Sequence, residues 1–92
     1  MASKIFTPIT SAAAANGSGN ETNVGSSRFV LCQNTSAVSA EVLVTLRTSD
    51  DTVVGTFYVS GDSSVIIKKA TTDTIFAADA NVYFTGVTVT NI

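Results

Sequence analysis

The residues best suited to chemistry in this chain are three aspartates in turn-forming stretches, Asp50 and Asp51 in one and Asp62 in the next. Clustered carboxylate oxygens are what a calcium ion takes as ligands, but the ligand spacing of a helix-loop-helix calcium site is absent, and Asp in such turns satisfies backbone N–H groups. Asp50, Asp51 and Asp62 therefore read as turn residues, as does the stretch Asp79, Ala80, Asn81. Serine and threonine hydroxyls are plentiful, yet a nucleophilic hydroxyl needs a base, and with no histidine only Lys4, Lys68 or Lys69 is on offer, in no recognisable motif. Lys68 and Lys69 close the apolar run Val65, Ile66, Ile67 and read as charges guarding a sheet edge. The single cysteine, Cys32, lies in an apolar run and reads as a buried, inert thiol; alone it forms no intrachain disulfide. Glycosylation sequons at Asn16, Asn20 and Asn34 read as products of an Asn/Ser/Thr-rich chain. Tyr58, Tyr83 and Phe84 have the ring faces for stacking bases or sugars, but nucleic-acid platforms come with basic grooves, so core or interface packing is expected. No catalytic residue, cofactor site or metal site emerges, and the chain is expected not to be an enzyme.

Composition bounds the rest. Ninety-two residues make one small domain, and five Lys plus Arg against seven Asp plus Glu give a net charge of −2, with no basic patch for nucleic acid or an anionic membrane. No apolar run approaches the roughly 20 residues that span a bilayer, and the first ten residues lack the apolar stretch of a signal peptide, so a cytoplasmically made, unprocessed chain is expected. The chain holds 14 Thr, 12 Val and 6 Ile, about a third of it β-branched, which favours strands over helices.

From Arg28 onward, short runs alternate with turn chemistry, as in an antiparallel sandwich or barrel. Strands are expected over 28–34, 40–48, 52–59, 64–69 and 82–90, with 73–78 a sixth and 5–10 a seventh. In 40–48, Ala40, Val42, Val44 and Leu46 share one face and Glu41, Thr45 and Arg47 the other, interrupted only by Leu43, so one face is core. The turn 48–51 predicts a hairpin between 40–48 and 52–59. Two strands carry apolar residues on both faces: Val82 and Phe84 oppose Tyr83, Val87 and Val89, and Phe29 and Leu31 oppose Val30 and Cys32. A lone sandwich has water outside, so these strands predict an outer face covered by another chain or by the N-terminal arm. The expected interface residues are Ile5, Phe6, Pro8, Ile9, Phe29, Tyr58, Tyr83, Val87 and Val89, in a homo-oligomer, a trimer favoured, or a complex with a larger assembly.

The N-terminal part differs. Residues 11–27, rich in Ala, Gly, Ser and Asn, read as a connector with little to give a core, and the chain divides into an arm and connector over 1–26 and a β-sandwich over 27–92. Ahead of the connector, Ile5, Phe6, Pro8 and Ile9 form an apolar tip. The tip is either an anchor on a tether that reaches a neighbouring subunit or the first strand of the chain's own sandwich.

The run Phe29-Val30-Leu31-Cys32-Gln33-Asn34-Thr35-Ser36-Ala37, an alternating Val-rich strand, and then Ile67-Lys68-Lys69 and Thr72-Asp73-Thr74-Ile75-Phe76-Ala77 resemble small virion structural proteins of tailed bacteriophages, of the decoration or cement type found with marine and cyanobacterial hosts. The resemblance covers residues 28–92. It implies a compact immunoglobulin-like β-sandwich, which with the strands and N-terminal segment read above gives an all-β fold, a small antiparallel β-sandwich of six or seven strands with an extended N-terminal arm. It also implies a place in the virion, bound between major capsid protein subunits after synthesis in the bacterial cytoplasm. A tail, neck or fibre component is the first alternative. A carbohydrate-binding or adhesion module is the second, and it requires exposed aromatics beside polar partners.

Overall fold

The computed structural model describes residues 4–17, 19–37 and 40–91. Among them there is no helix, and eight strands form in chain order: β1 Lys4–Pro8, β2 Ala13–Ala14, β3 Phe29–Asn34, β4 Val42–Arg47, β5 Val53–Val59, β6 Ser63–Lys68, β7 Thr74–Ala77 and β8 Val82–Asn91. All seven expected segments are strands, within two residues at each end, and β2 is an addition.

The strands form two sheets, one ordered β1-β8-β3-β6 with β2 also on β8, the other β5-β4-β7. Their inner faces share one core of Val30, Cys32, Val82 and Phe84 from the first sheet and Val42, Val44, Val59, Ile75 and Ala77 from the second, an arrangement compatible with a small β-sandwich. Val42 and Val44 are buried as the alternation in β4 predicts, with Leu46 packed against the same cluster. The expected hairpin is β4–β5. Its turn is closed by Thr48 N donating to Thr52 O (2.8 Å) and Asp51 N to Thr48 O (3.0 Å), with Asp51 at φ +69. Asp50 Oδ1 accepts from Thr52 N (3.3 Å) and from the Thr48 hydroxyl. Those hydroxyl and amide donors hold its carboxyl below the ordinary range. Asp79 does the same work in its own turn, accepting from Asn81 N at 2.8 Å.

Four pairings nest around the 48–52 turn: β4 with β5, β3 with β6, the segment bridging at Asn16 and Thr22 with β7, and β1 with β8. Apart from the single parallel bridge of Asn16 to Ala77 these pairings are antiparallel, so the chain is one long hairpin rolled up so that β3 also meets β8 and β4 also meets β7. An immunoglobulin domain sets its first strand beside its second, in the order A-B-E-D; here the first strand lies against the last.

The connector contributes more than its composition suggests. After β1 and β2 have run along β8, the chain crosses to the other sheet, where Ala77 N donates to Ala15 O (2.8 Å) and Thr22 exchanges backbone hydrogen bonds with Ile75 (2.9 and 3.1 Å). Ala15 and Val24 are buried in the core, which corrects the expectation that this stretch carries little of it.

Lys69 is a second correction. Lys68 is exposed on the outer strand β6, but Lys69, one residue on, points inward and is 5% exposed, so it guards no edge. Its Nζ donates to Ala70 O (3.1 Å), and burial lowers its pKa against the opposing charge of Asp73.

Candidate functional site: the outer face of the β1-β8-β3-β6 sheet

Strand register places the outward residues of this sheet in rows. Phe6 lies opposite Val89; Pro8, Val87, Phe29 and Lys68 form the next row; then Thr85, Leu31 and Ile66; then Ala14, Tyr83, Gln33 and Ser64. The two-faced pattern read in 28–34 and 82–90 is therefore real: one set of apolar residues faces the core, the other outward. Of the nine expected interface residues, Phe6, Pro8, Phe29, Tyr83, Val87 and Val89 come together on this one face. Ile9 sits just beyond β1, exposed at its margin. Ile5 pairs with Thr90 in the backbone ladder. Tyr58 is elsewhere, 65% exposed on β5 of the other sheet. Val87 is 2% exposed, roofed within the chain between Pro8 and Phe29, so it forms the floor of the surface.

At the end of this face lies a cleft of about 350 Å³ lined by Ile9, Phe29, Val87 and Val89 together with Ser26, Ser27, Arg28, Thr71 and Thr88. Its wall is built under strain. Val24, Gly25 and Ser26 are successive residues at φ +54, +64 and +60, a left-handed turn that a β-branched residue such as Val24 adopts only when its surroundings impose it. The surroundings are specific. Ser27 Oγ donates to Val24 O (2.6 Å), Gly86 N donates to Thr10 Oγ1 (2.7 Å) and Ile9 N to Gly86 O (2.7 Å). Gly86 is required there, since a Cβ on it would lie 2.0 Å from Ser27 Oγ. An apolar floor, hydroxyl walls and a cationic rim at Arg28 suit an inserted apolar side chain with a carboxylate nearby.

The sequence reading missed Leu31 and Ile66 as outward residues, and Ser26, Ser27, Arg28 and Thr71 as walls. Leu31 was legible in its alternation with Val30 and Cys32. The walls were not, because they converge only when 24–27 folds back on Gly86.

A second, polar cleft of about 190 Å³ opens at the other end of β3 and β6, lined by Gln33, Asn34, Thr35, Asp62, Ser63 and Ser64. Tyr83, 39% exposed, is the register neighbour of Gln33. Asn34 itself is buried and fully engaged: Nδ2 donates to Ala40 O (3.0 Å) and Val59 O (2.8 Å), and Oδ1 accepts from Ser36 N (2.9 Å). With both amide hydrogens used inside the fold, this sequon is closed to a glycan.

Cys32 is buried on the inner face, and desolvation pushes its thiol up to about 12, as an inert core residue requires. Among the described residues no three His, Cys, Asp or Glu side chains gather as metal ligands.

No known protein family, curated protein or solved structure matches this chain.

Proposed function

We propose that this chain is a non-enzymatic structural protein of a bacteriophage virion, a decoration or cement protein that docks between major capsid subunits through the outer face of the β1-β8-β3-β6 sheet. The observation that carries the docking is the apolar surface of Phe6, Pro8, Phe29, Leu31, Ile66 and Val89 over the buried Val87, ending in the cleft with Arg28 at its rim. Half-covered apolar side chains such as Phe29, Leu31, Ile66 and Val89 gain about 1 kcal/mol each when fully buried against a partner, roughly half of the full transfer value. The virion assignment comes from the sequence resemblance. We read the nested pairing as the rolled double Greek key of a jelly roll, an architecture shared by viral capsid and lectin domains, so the fold by itself favours neither role. A homo-oligomer, a trimer favoured, is the form in which the face would meet a shell.

Binding that is specific to the assembled shell stabilises it by mass action. Particles lacking the protein should therefore release DNA at lower temperature than particles carrying it, and the protein should be present in hundreds of copies. Equal release temperatures would refute the cement role, and a copy number of about a dozen or fewer would favour a tail, neck or fibre component.

One observation favours a second reading, a carbohydrate-binding module: exposed Tyr83 stands beside the polar cleft of Gln33, Asp62 and Ser64. Titration with monosaccharides, followed through Tyr83 and Gln33 resonances, tests it.

A further inference from the structure

The two sheets have four edges, and three are protected. β1 carries Lys4 and Pro8, the latter without an N–H to offer. β6 ends in the exposed Lys68. β7 is covered by the chain crossing at Asn16 and Thr22, with Gly17 N donating to Ala77 O (2.9 Å) and Thr22 N to Ile75 O (3.1 Å). The fourth edge, β5, has no Lys, proline or covering segment, and beyond the bulge at its start its residues 55–59 are unguarded. Its sequence is Val-Val-Gly-Thr-Phe-Tyr-Val, without charge or proline, and among the described residues nothing pairs with its outer side.

Exposure along the strand says the same. Val53, Val54 and Tyr58 are 57%, 56% and 65% exposed, and Gly55 and Thr56 are exposed with them. The register shift opposite Leu46 and Arg47 leaves Val54 as a bulged residue, while 55–59 keep a regular ladder with β4. A regular, uncharged, β-branched and aromatic edge is a template for one more strand, because its outward N–H and C=O groups fix the backbone of whatever pairs with it.

Charge decides which strand. Asp50 and Asp51, the latter paired with Arg47 at 3.8 Å so that Asp50 carries the net charge there, stand at one end of β5 and Asp62 at the other. A second copy paired antiparallel along 55–59 would bring the Asp50–Asp51 turn of one copy toward the Asp62 turn of the other, since these turns flank β5 at opposite ends. Like charges brought close across a strand pair destabilise it, so the acidic ends act against self-pairing. They favour an incoming strand with basic residues at its ends, in either direction.

We propose that the outer edge of β5 is a strand-addition site that takes an extended, proline-free segment of another protein, with alternating β-branched residues and a Lys or Arg at each end. This site is separate from the docking face proposed above and does not rest on it. A chain with both surfaces would bridge two partners.

The test uses the full chain and three synthetic peptides: Lys-Val-Thr-Val-Thr-Val-Lys, the same with Glu at both ends, and the Lys-ended form with a central Pro. The Lys-ended peptide should slow hydrogen exchange of β5 amides about tenfold, bind about tenfold more tightly than the Glu-ended peptide, and lose that preference in high salt; the Pro peptide should give no protection. Thr56→Lys, which adds a guard to an exposed position, should keep the β circular dichroism and lose about tenfold in affinity. No protection of β5 by the Lys-ended peptide, equal binding of the two charged peptides, or a dimer through β5 at low salt would each overturn the proposal. Because no capsid enters the assay, its failure leaves the docking face standing, and failure of shell binding leaves β5 standing.

Discussion

The two outer faces of this sandwich are built from similar strands and finished differently. On the β5-β4-β7 sheet, Arg47 projects outward from β4, with its guanidinium 4.8 Å from the Phe76 ring centroid and ion pairs to Glu21 (3.4 Å) and Asp51 (3.8 Å). One charged side chain thus covers an aromatic neighbour and ties the connector and the β4–β5 turn to the sheet. Among the described residues the outward rows of β1-β8-β3-β6 have no such device at their centre: Lys68 stands at the margin, and Phe29, Leu31 and Ile66 lie in the middle. Around β4 and β7 one face is covered by the chain's own charges, with its exposed Val54 and Tyr58 confined to the β5 edge, whereas the other face keeps apolar residues through its middle. β-branched content predicts sheets; the cross-strand neighbours on the outside determine which sheet is finished.

Breaking the contrast altogether means separating the two faces, and the largest expected effect falls on Asn34. Its amide joins the end of β3 to Val59 O in the other sheet and to Ala40 O. Asn34→Leu leaves the buried Val59 carbonyl and the half-buried Ala40 carbonyl and Ser36 N–H without this partner, which should cost about 3 kcal/mol in urea unfolding. Asn34→Asp, which turns the two donors into a carboxylate facing two carbonyls, should cost at least as much. A loss under about 1 kcal/mol for both would mean that the sheets are held by apolar packing alone.

Gly86→Ala comes next, because it attacks only the cleft end of the apolar face. The added methyl meets Ser27 Oγ at 2.0 Å and Ser27 Cβ at 3.0 Å, an overpacking expected to cost about 2 kcal/mol. Adding Ser27→Ala should recover part of that loss, and a double variant no better than the single would show that the Thr10 side of the contact dominates.

The two faces can then be compared directly. Arg47→Met should cost about 1 kcal/mol in stability, through lost ion pairs and the uncovered Phe76, and leave shell binding unchanged. Phe29→Lys should change stability by less than about 1 kcal/mol, since its side chain is half-exposed, and abolish shell binding by placing a cation in the middle of the apolar face. The reversed pattern would exchange the roles assigned to the two faces.

Strands, hairpin and inward residues were legible because period-2 alternation and turn residues are local signals. The apolar outer face was legible for a related reason: Tyr83, Val87 and Val89 alternate against Val82 and Phe84 too regularly to be incidental. What the sequence withheld depends on non-local closure. Nothing near Ala15 or Val24 announces that the connector passes under the open side of the sandwich, and nothing near Gly86 says that Ser27 packs against it. The strand order was hidden for the same reason, because nested pairing is a property of the whole chain. Asn34 is instructive: its sequon invites a surface reading, while its amide is the tie between sheets.

Lys68 and Lys69 sharpen the contrast to the scale of one residue, an exposed cation beside a buried one. Burial depresses the Lys69 pKa from its ordinary 10.5, with Asp73 opposing. Between the depressed folded value and 10.5 the unfolded chain binds more protons, so stability rises with pH through that window; below the folded value the penalty for a buried ammonium is fully present. Lys69→Met keeps the aliphatic stem and removes the titration, so it should be neutral or gain up to about 1 kcal/mol at pH 7, an advantage that shrinks as pH approaches 10.5. Lys68→Met, exposed throughout, should show no such pH trend. Cys32 acts the other way, holding its proton from 9.0 up to about 12 and giving stability that is lost as pH rises through that range. It does so equally in both variants, so the difference between each variant and the parent chain, measured by urea unfolding from pH 7 to 10.5, isolates the lysines. A constant difference for Lys69→Met would show that its ammonium reaches water.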